Sequence, residues 1–457
     1  MSSDGAEDVV DRAAWWAGRW LASVAERPVG RPVDPATLRA RFDDRLPDEG
    51  EPAGPVLDAL ATAMEPGLVA SGGPRYFGFV TGGALPAALG ADWLVSATDQ
   101  DAATYVMSPA ASVIEEITAG WVLDLLGLPS HAAVGFVTGA QMATVSCLAA
   151  ARRSLLAARA WDVETDGLAG APVPTVLVGE QAHATVFQAL RLLGFGSARA
   201  VRVAADAQGR MRADDLREGL DGVAGPVLVC AQAGHVATGA VDPLEDVADL
   251  LAARSDTWLH VDGAFGLWAA AAPTRRHLVA GVARADSWAV DAHKWLNVPY
   301  DAAMAVVADP VVLAEALTTS AAYLPLGELD PSSRTPENSR RARATPVYAA
   351  LRSLGRRGVA DLVERCCALA RQAADELGRD DRIEVLNDVV LNQVLFRPRT
   401  ADVAALAAAV QQDGTCWLGT TLWEGRPALR LSVSNWSTTP ADVSRSTSRI
   451  LELLDRS

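Results

Sequence analysis

Two segments carry the residues best suited to chemistry: Trp258-Leu-His-Val-Asp262 and Asp286-Ser-Trp-Ala-Val-Asp-Ala-His293-Lys294-Trp295. Each is an apolar run ending on ionisable groups, the pattern of a buried strand whose last residues reach a cleft. Of the 40 Lys and Arg residues, one is lysine, Lys294, and 39 are arginine. Where lysine survives in such a chain, the chemistry calls for an amine that can lose its proton and attack a carbonyl, which a guanidinium cannot do. The alternative is a stray surface lysine, and its neighbours decide between the two. A Lys–Asp pair at strand ends suits pyridoxal phosphate. The amine forms the internal Schiff base, and the carboxylate keeps the pyridine nitrogen protonated so that the ring draws electrons from Cα. Taken alone, Asp262 reads as a structural cap or salt-bridge partner; paired with the sole lysine it reads as part of a site.

A second signal is Val134-Gly-Phe-Val-Thr138-Gly139-Ala140-Gln141-Met142-Ala143-Thr144, a strand running through a small-residue turn into a helix. Backbone N–H groups of Gly139, Ala140 and Gln141 at such a helix start can cradle a phosphate. Any strand–helix turn favours glycine, so its place in order before Asp262 and Lys294 is what gives it weight. A third is Glu180-Gln-Ala-His183, where an imidazole at a strand end can stack on an aromatic cofactor ring. A lone histidine is more often structural, and the same holds for His235 in Ala233-Gly-His-Val236. His260 lies inside a strand and reads as structural; His131 and His277 are background. No metal-ligand spacing is evident.

The elements that must position these groups follow from periodicity. Residues 8–26 have helical spacing, with Val9, Ala13, Trp16 and Trp20 on one stripe, and a Pro- and acid-rich arm spans 28–55. From about 130, short apolar strands (133–138, 175–178, 199–204, 226–231, 257–261, 286–290, 303–308) alternate with helices (140–160, 183–193, 212–221, 243–254). This predicts an α/β fold with a mostly parallel sheet of seven strands covered by helices on both faces. Gly327 to Arg343 reads as a mobile loop of the kind that closes over a site. A helix at 346–377 and strands at 383–386, 391–396 and 428–433 predict a final α+β portion. The expected division is an N-terminal helical arm (1–84), a large domain (85–345) and a small C-terminal domain (346–457).

Composition excludes other classes. Among 457 residues 50% are hydrophobic and 21% charged, with 37 Gly and 25 Pro spread along the chain, so it is neither disordered, collagen-like nor a coiled coil. A net charge of −16 argues against binding a phosphate backbone, so nucleic acid is not an expected partner. Five cysteines form no CxxC pair and read as free thiols of a reducing compartment. The acidic, polar start is not a signal peptide. Leu125 to Ala151 lacks Asp, Glu, Lys and Arg, but its Pro129, His131, Thr138 and Gln141 make a poor lipid-facing set. A cytoplasmic protein without a membrane span is expected.

The order TGAQMAT, EQAH, HVDGAFG, DAHKW resembles the group II pyridoxal-phosphate-dependent amino acid decarboxylases, of fold-type I, which include the aromatic amino acid and glutamate decarboxylases. The likeness extends to Pro74-Arg-Tyr-Phe-Gly-Phe79, Met107-Ser-Pro109 and Leu429-Arg-Leu-Ser-Val433. It implies Lys294 as the Schiff-base lysine, Asp262 as the pyridinium partner and His183 as the ring-stacking residue. Gly139, Ala140 and Gln141 would hold the phosphate with Asp291 and His293 nearby, and Ala264 would lie against the ring. Phe79, Val80 and Tyr105 match the substrate-pocket region. The resemblance also implies a homodimer with active sites at its interface, the chain near Gly355 reaching the partner's cofactor.

The implied reaction is decarboxylation of an L-amino acid through an external aldimine and a quinonoid. Departures from the pattern keep an alternative open. Relatives acting on aromatic amino acids carry a loop tyrosine that protonates Cα, and Gly327 to Arg343 contains none; Tyr323 precedes it, with Tyr300 and Tyr348 as bystanders. Without that acid the carbanion is exposed to oxygen, which leads to oxidative decarboxylation–deamination to an aldehyde, or to other Cα chemistry such as transamination. His235-Val236 replaces a commoner Thr-Thr, Met142 an acidic residue, and Asp291 a commoner Asn. Arg430 could pair with a substrate carboxylate, but among 39 arginines a structural salt bridge is the expected reading; Trp15, Trp16 and Trp20 are expected on a dimer partner, and Trp417 and Trp423 in the core. The substrate side chain is not specified by these residues.

Overall fold

Helices and strands alternate through the middle of the chain, and that alternation builds the sheet on which the candidate residues sit. The computed structural model describes residues 3–455 except 31, 44 and 319–329, with side chains from residue 8 onward. The first part of the chain holds helices α1 (Ser3–Ser23), α2 (Pro35–Arg39) and α3 (Ala53–Met64), followed by α4 (Pro86–Thr98) and α5 (Pro109–Leu126). The large sheet has seven strands: β1 (Ala133–Val137), β2 (Thr175–Gly179), β3 (Val201–Val203), β4 (Val227–Gln232), β5 (Thr257–Asp262), β6 (Ser287–Asp291) and β7 (Ala303–Val307). Between them run α6 (Ala140–Ala157), α7 (Val163–Asp166), α8 (Ala184–Leu192), α9 (Ala213–Asp221) and α10 (Leu244–Ala252), and α11 (Pro310–Leu317) follows β7.

The strand order is β1-β7-β6-β5-β4-β2-β3. Strands β3, β2, β4, β5 and β6 are parallel, while β7 runs antiparallel to both β1 and β6. Strands β4 to β7 are buried almost throughout because helices cover both faces, which is why they read as continuous apolar runs. On β1 the period-2 alternation still sorts residues: Val134 and Phe136 join one core, Ala133 and Val137 the other.

The kinked α12 (Ala344–Gly378) leads to an antiparallel sheet of β8 (Ile383–Val385), β9 (Gln393–Pro398), β10 (Gly419–Trp423) and β11 (Arg426–Ser432), in the order β10-β11-β9-β8, with α13 (Val403–Asp413) and α14 (Pro440–Leu454). The kink falls at Gly355, whose φ of 62° only glycine adopts readily. Of the stretch expected as a mobile loop, 327–329 and Tyr323 lie outside the described residues. The rest departs from that expectation: Ser332, Thr335, Arg340 and Ala342 are buried, and the Arg334 carbonyl packs so tightly on Gly135 that a Cβ there would lie 2.0 Å from it. No described helix is long and apolar enough to cross a membrane.

Candidate active site

Four consecutive strands of the sheet, β6, β5, β4 and β2, end on or just before the residues singled out by sequence. Asp262 closes β5 in register with Ala289 of β6, two residues short of Asp291. Across the other edge Asp262 faces Gln232 of β4, three residues before His235, and β2 leads to His183. Parallel pairing therefore brings side chains scattered over more than a hundred residues to one sheet edge.

Asp262 is 9% exposed and its Oδ1 accepts the Ala264 N–H at 3.1 Å; its second oxygen has no hydrogen-bond partner among the described residues. Burial pushes its carboxyl above the ordinary range, while Lys294 and His183 pull it back. The Lys294 Nζ lies 2.9 Å from Asp291 Oδ2. His293 accepts the Ala302 N–H on Nδ1 at 3.2 Å, which leaves Nε2, 3.4 Å from Asp291 Oδ1, to carry the proton of a neutral ring. Burial holds His293 below its usual value.

His183 caps α8: Thr185 offers its N–H (3.4 Å) and its hydroxyl (2.7 Å) to Nδ1, so the neutral ring keeps its proton on Nε2. The residue is partly open to solvent, yet desolvation by its surroundings lowers its pKa, with Asp262 opposing. Helix α6 begins at Ala140, and Gly139 before it offers no side-chain cap. Ala140 donates instead to Asp291 Oδ1 at 2.6 Å, and Gln141 Nε2 reaches the Thr185 carbonyl at 3.5 Å. Ala264 is half-buried beside Asp262. Val80 is buried, whereas Phe79 is 63% exposed and tilts on Trp417, ring centroids 5.2 Å apart; Tyr105 is 43% exposed.

Some residues at the site were given a different weight by the sequence, and others escaped it. Arg430, expected in a salt bridge, has no acidic partner among the described residues; its Nη1 donates to the Val236 carbonyl at 3.1 Å, and its charge acts on both His183 and His235. Tyr300 packs its ring on His293 at 4.5 Å. The turn after Lys294 is held by Asn297, whose side chain bonds Trp295 O (2.7 Å) and Ser434 O (2.9 Å), and by Gly82, where a Cβ would lie 2.0 Å from the Lys294 carbonyl. Trp423 is buried against His235, while Trp417 is only partly buried and stacks on Tyr76.

The groups present fit an anionic aromatic aldehyde cofactor. A helix start without a side chain at Gly139 suits its phosphate, a lone lysine its aldehyde, and a buried carboxylate with an open oxygen a protonated ring nitrogen. Residues 35–399 match the pyridoxal-dependent decarboxylase conserved domain, and the chain belongs to that family. Its reaction is pyridoxal-phosphate-dependent decarboxylation of an amino acid. It is 29% identical to tryptophan decarboxylase 1 of Oryza sativa subsp. japonica, over 95% of this chain and 91% of that one. It is 30% identical to the L-2,4-diaminobutyrate decarboxylase of Rhizobium meliloti (strain 1021), over 89% and 84%. The crystal structure of the Oryza sativa enzyme TDC with PLP and tryptamine superposes with a TM-score of 0.92 at 26% identity, covering 100% of this chain and 99% of that one.

Proposed function

We infer that Lys294 is the residue that binds the cofactor covalently and Asp262 the one that sets its electronics, for decarboxylation of an L-amino acid to its amine. The observation that carries this is the buried Asp262 with one open oxygen, electrostatically coupled to the only lysine in the chain. When bound, pyridoxal phosphate supplies an electron-poor ring that takes up the electron pair left as carbon dioxide departs. A ring N–H cation against Asp262 offsets the burial that otherwise favours its protonated form. His183 and Ala264 would lie against the ring, and the Gly139-Ala140-Gln141 turn with His293 and Asp291 would hold the phosphate end. Arg430, a cation without an acid, receives a substrate carboxylate. Phe79, Val80 and Tyr105 line the space for the substrate side chain.

The exposed Phe79, Tyr105, Val106 and Met107, and separately a groove of about 170 Å³ lined by Trp16, Trp20, Leu60 and Met64, support a homodimer that covers these apolar residues. The division into an arm (1–84), a large domain (85–345) and a small domain (346–457) goes with that reading. Five buried, unpaired cysteines support a reducing, cytoplasmic location.

The test is to incubate the cofactor-loaded protein with mixed L-amino acids in air and weigh the products by mass spectrometry. An amine lighter than its parent by carbon dioxide is the expected result and names the substrate. An aldehyde with ammonia and peroxide replaces it with the oxidative reaction. A borohydride-reduced adduct on any residue other than Lys294 removes the assignment.

A further inference from the structure

The start of α6 already holds an anion. Gly139 provides no cap, and the acceptor comes from across the sheet: Asp291 Oδ1 takes the Ala140 N–H at 2.6 Å and lies 3.4 Å from His293 Nε2. Asp291 is 1% exposed, so water screens it little. A side chain at Gly139 would come within 3.4 Å of His293 Cε1 and 3.9 Å of Asp291 Oδ1. The few ångströms suited to the cofactor's phosphate therefore also contain a carboxylate.

We propose that Asp291 makes cofactor capture proton-linked, so that the phosphate and the Asp291 carboxylate share one proton at the α6 N-terminus. This rests on the assignment of the Gly139-Ala140-Gln141 turn to the phosphate. A phosphate monoester is a dianion above a second pKa of about 6, and like charges in one site disfavour joint ionisation. The surroundings do not supply a lasting counter-charge. Lys294, which pairs with Asp291 through its other oxygen, is required at the cofactor's aldehyde. His293 is kept neutral by burial. Asp262 and His183 act from β5 and β2, and Asp262 adds negative potential. Asp301 acts on His293 from the loop before β7 and is itself paired with Arg343. No arginine forms an ion pair with Asp291 among the described residues. A neutral amide at this position would donate to the phosphate and remove the linkage.

The experiment measures binding of pyridoxal phosphate, and of pyridoxal as the probe lacking phosphate, to cofactor-free wild type and Asp291→Asn between pH 6.5 and 9. The affinity of wild type for the phosphate ester should fall relative to the variant by roughly tenfold per pH unit, the slope of one linked proton. Pyridoxal should show no such difference, because the Asp291–Lys294 contact affects both probes alike. Calorimetry of wild type in buffers of different ionisation enthalpy needs no variant. At pH 8 it should show about one more proton taken up per site with the phosphate ester than with pyridoxal. Parallel pH profiles, an equal difference with pyridoxal, or equal proton uptake overturns the proposal while leaving the cofactor assignment intact. Failure of wild type to form a borohydride-reducible adduct on Lys294 overturns both.

Discussion

Arg340 and Glu115 form an ion pair in the protein interior, their side chains 0% and 1% exposed, with Nη1 equidistant at 3.2 Å from both carboxylate oxygens. The pair ties the segment 330–343 to α5. Backbone bonds reinforce it, Ala102 N–H to Arg340 O at 2.9 Å and Arg340 N–H to Asp101 Oδ1 at 3.1 Å. Removing one partner strands a buried charge, so Arg340→Ala should lower stability by about 3–5 kcal/mol. Replacing both with apolar residues, Glu115→Leu with Arg340→Met, should recover most of that loss. Denaturant unfolding of wild type and the two variants checks it, and a double variant as unstable as the single would show that the packing of the segment, not the charge, was lost.

Gly82 touches the turn that carries Lys294 from a segment more than two hundred residues away in sequence. An added Cβ would meet the Lys294 carbonyl at 2.0 Å, far inside contact distance, so the backbone carrying the lysine has to shift. Misplacing a reacting group by about 1 Å typically costs on the order of a hundredfold in rate. Gly82→Ala should therefore lower kcat by roughly that factor at full cofactor occupancy. Wild-type kcat in this variant would mean that the 72–85 segment moves instead.

Sequence periodicity located all seven strands of the large sheet to within about two residues, because all but β3 (Val201-Arg-Val203) are short apolar runs. The motif residues were legible for a related reason: they follow strand ends, where parallel pairing leaves few places to go. What escaped depends on long-range packing. Nothing local to Gly82 or Asn297 shows that each holds the turn after Lys294, and for Arg430 the number of arginines favoured a salt bridge over the alternative of a substrate carboxylate. Strand β10 escaped because it lies at the edge of the small sheet with side chains Thr420 and Leu422 facing solvent, so it lacks an apolar run. The segment 330–343 misled in the other direction: its charges read as a solvated loop, whereas Arg340 is buried on a carboxylate that lies in a different helix.

His260 is fully buried in β5, its Nδ1 3.0 Å from Ser287 Oγ and its Nε2 without a partner among the described residues, and burial pushes its pKa down to about 3. With the unfolded value near 6.5, the ring is neutral in both states above that pH. Below it the unfolded chain binds the proton first. The stability due to the neutral ring is thus complete above pH 6.5 and is lost as pH falls towards 3, at about 1.4 kcal/mol per unit. Asp242, pushed up to about 7 by burial, has the opposite sign, so the slope of wild type alone mixes the two. The difference between wild type and His260→Gln in urea unfolding should shrink at that rate from pH 6.5 to 4; a constant difference would show that His260 is protonated in the fold.

Asp262→Asn preserves shape and the contact with the Ala264 N–H only if the amide oxygen faces it, and it removes the charge opposite Lys294 and His183. Turnover should fall by several orders of magnitude, because ring electronics must supply a large part of a rate enhancement that in enzymes commonly reaches ~8–23 kcal/mol. Cofactor should still attach to Lys294. A variant that loses attachment but keeps residual turnover in proportion to occupancy would make Asp262 a binding residue alone.

Arg430 projects from β11 of the small sheet to the loop after β4, where one of its donors meets the Val236 carbonyl at 3.1 Å and no carboxylate among the described residues pairs with it. Two roles compete for such a residue. As a strut between the sheets it needs only the bond to Val236, which a lysine can also make. As the receiver of a substrate carboxylate it needs the planar fork, which lysine lacks. Arg430→Lys separates them: for the strut, stability and KM both stay near wild type, while for the receiver KM rises at unchanged stability. The unpaired charge beside His183 favours the second, and we expect KM to rise roughly tenfold or more with a smaller fall in kcat, the pattern of lost binding shared by ground and transition states. Loss of stability in Arg430→Gln with KM unchanged would return Arg430 to the strut.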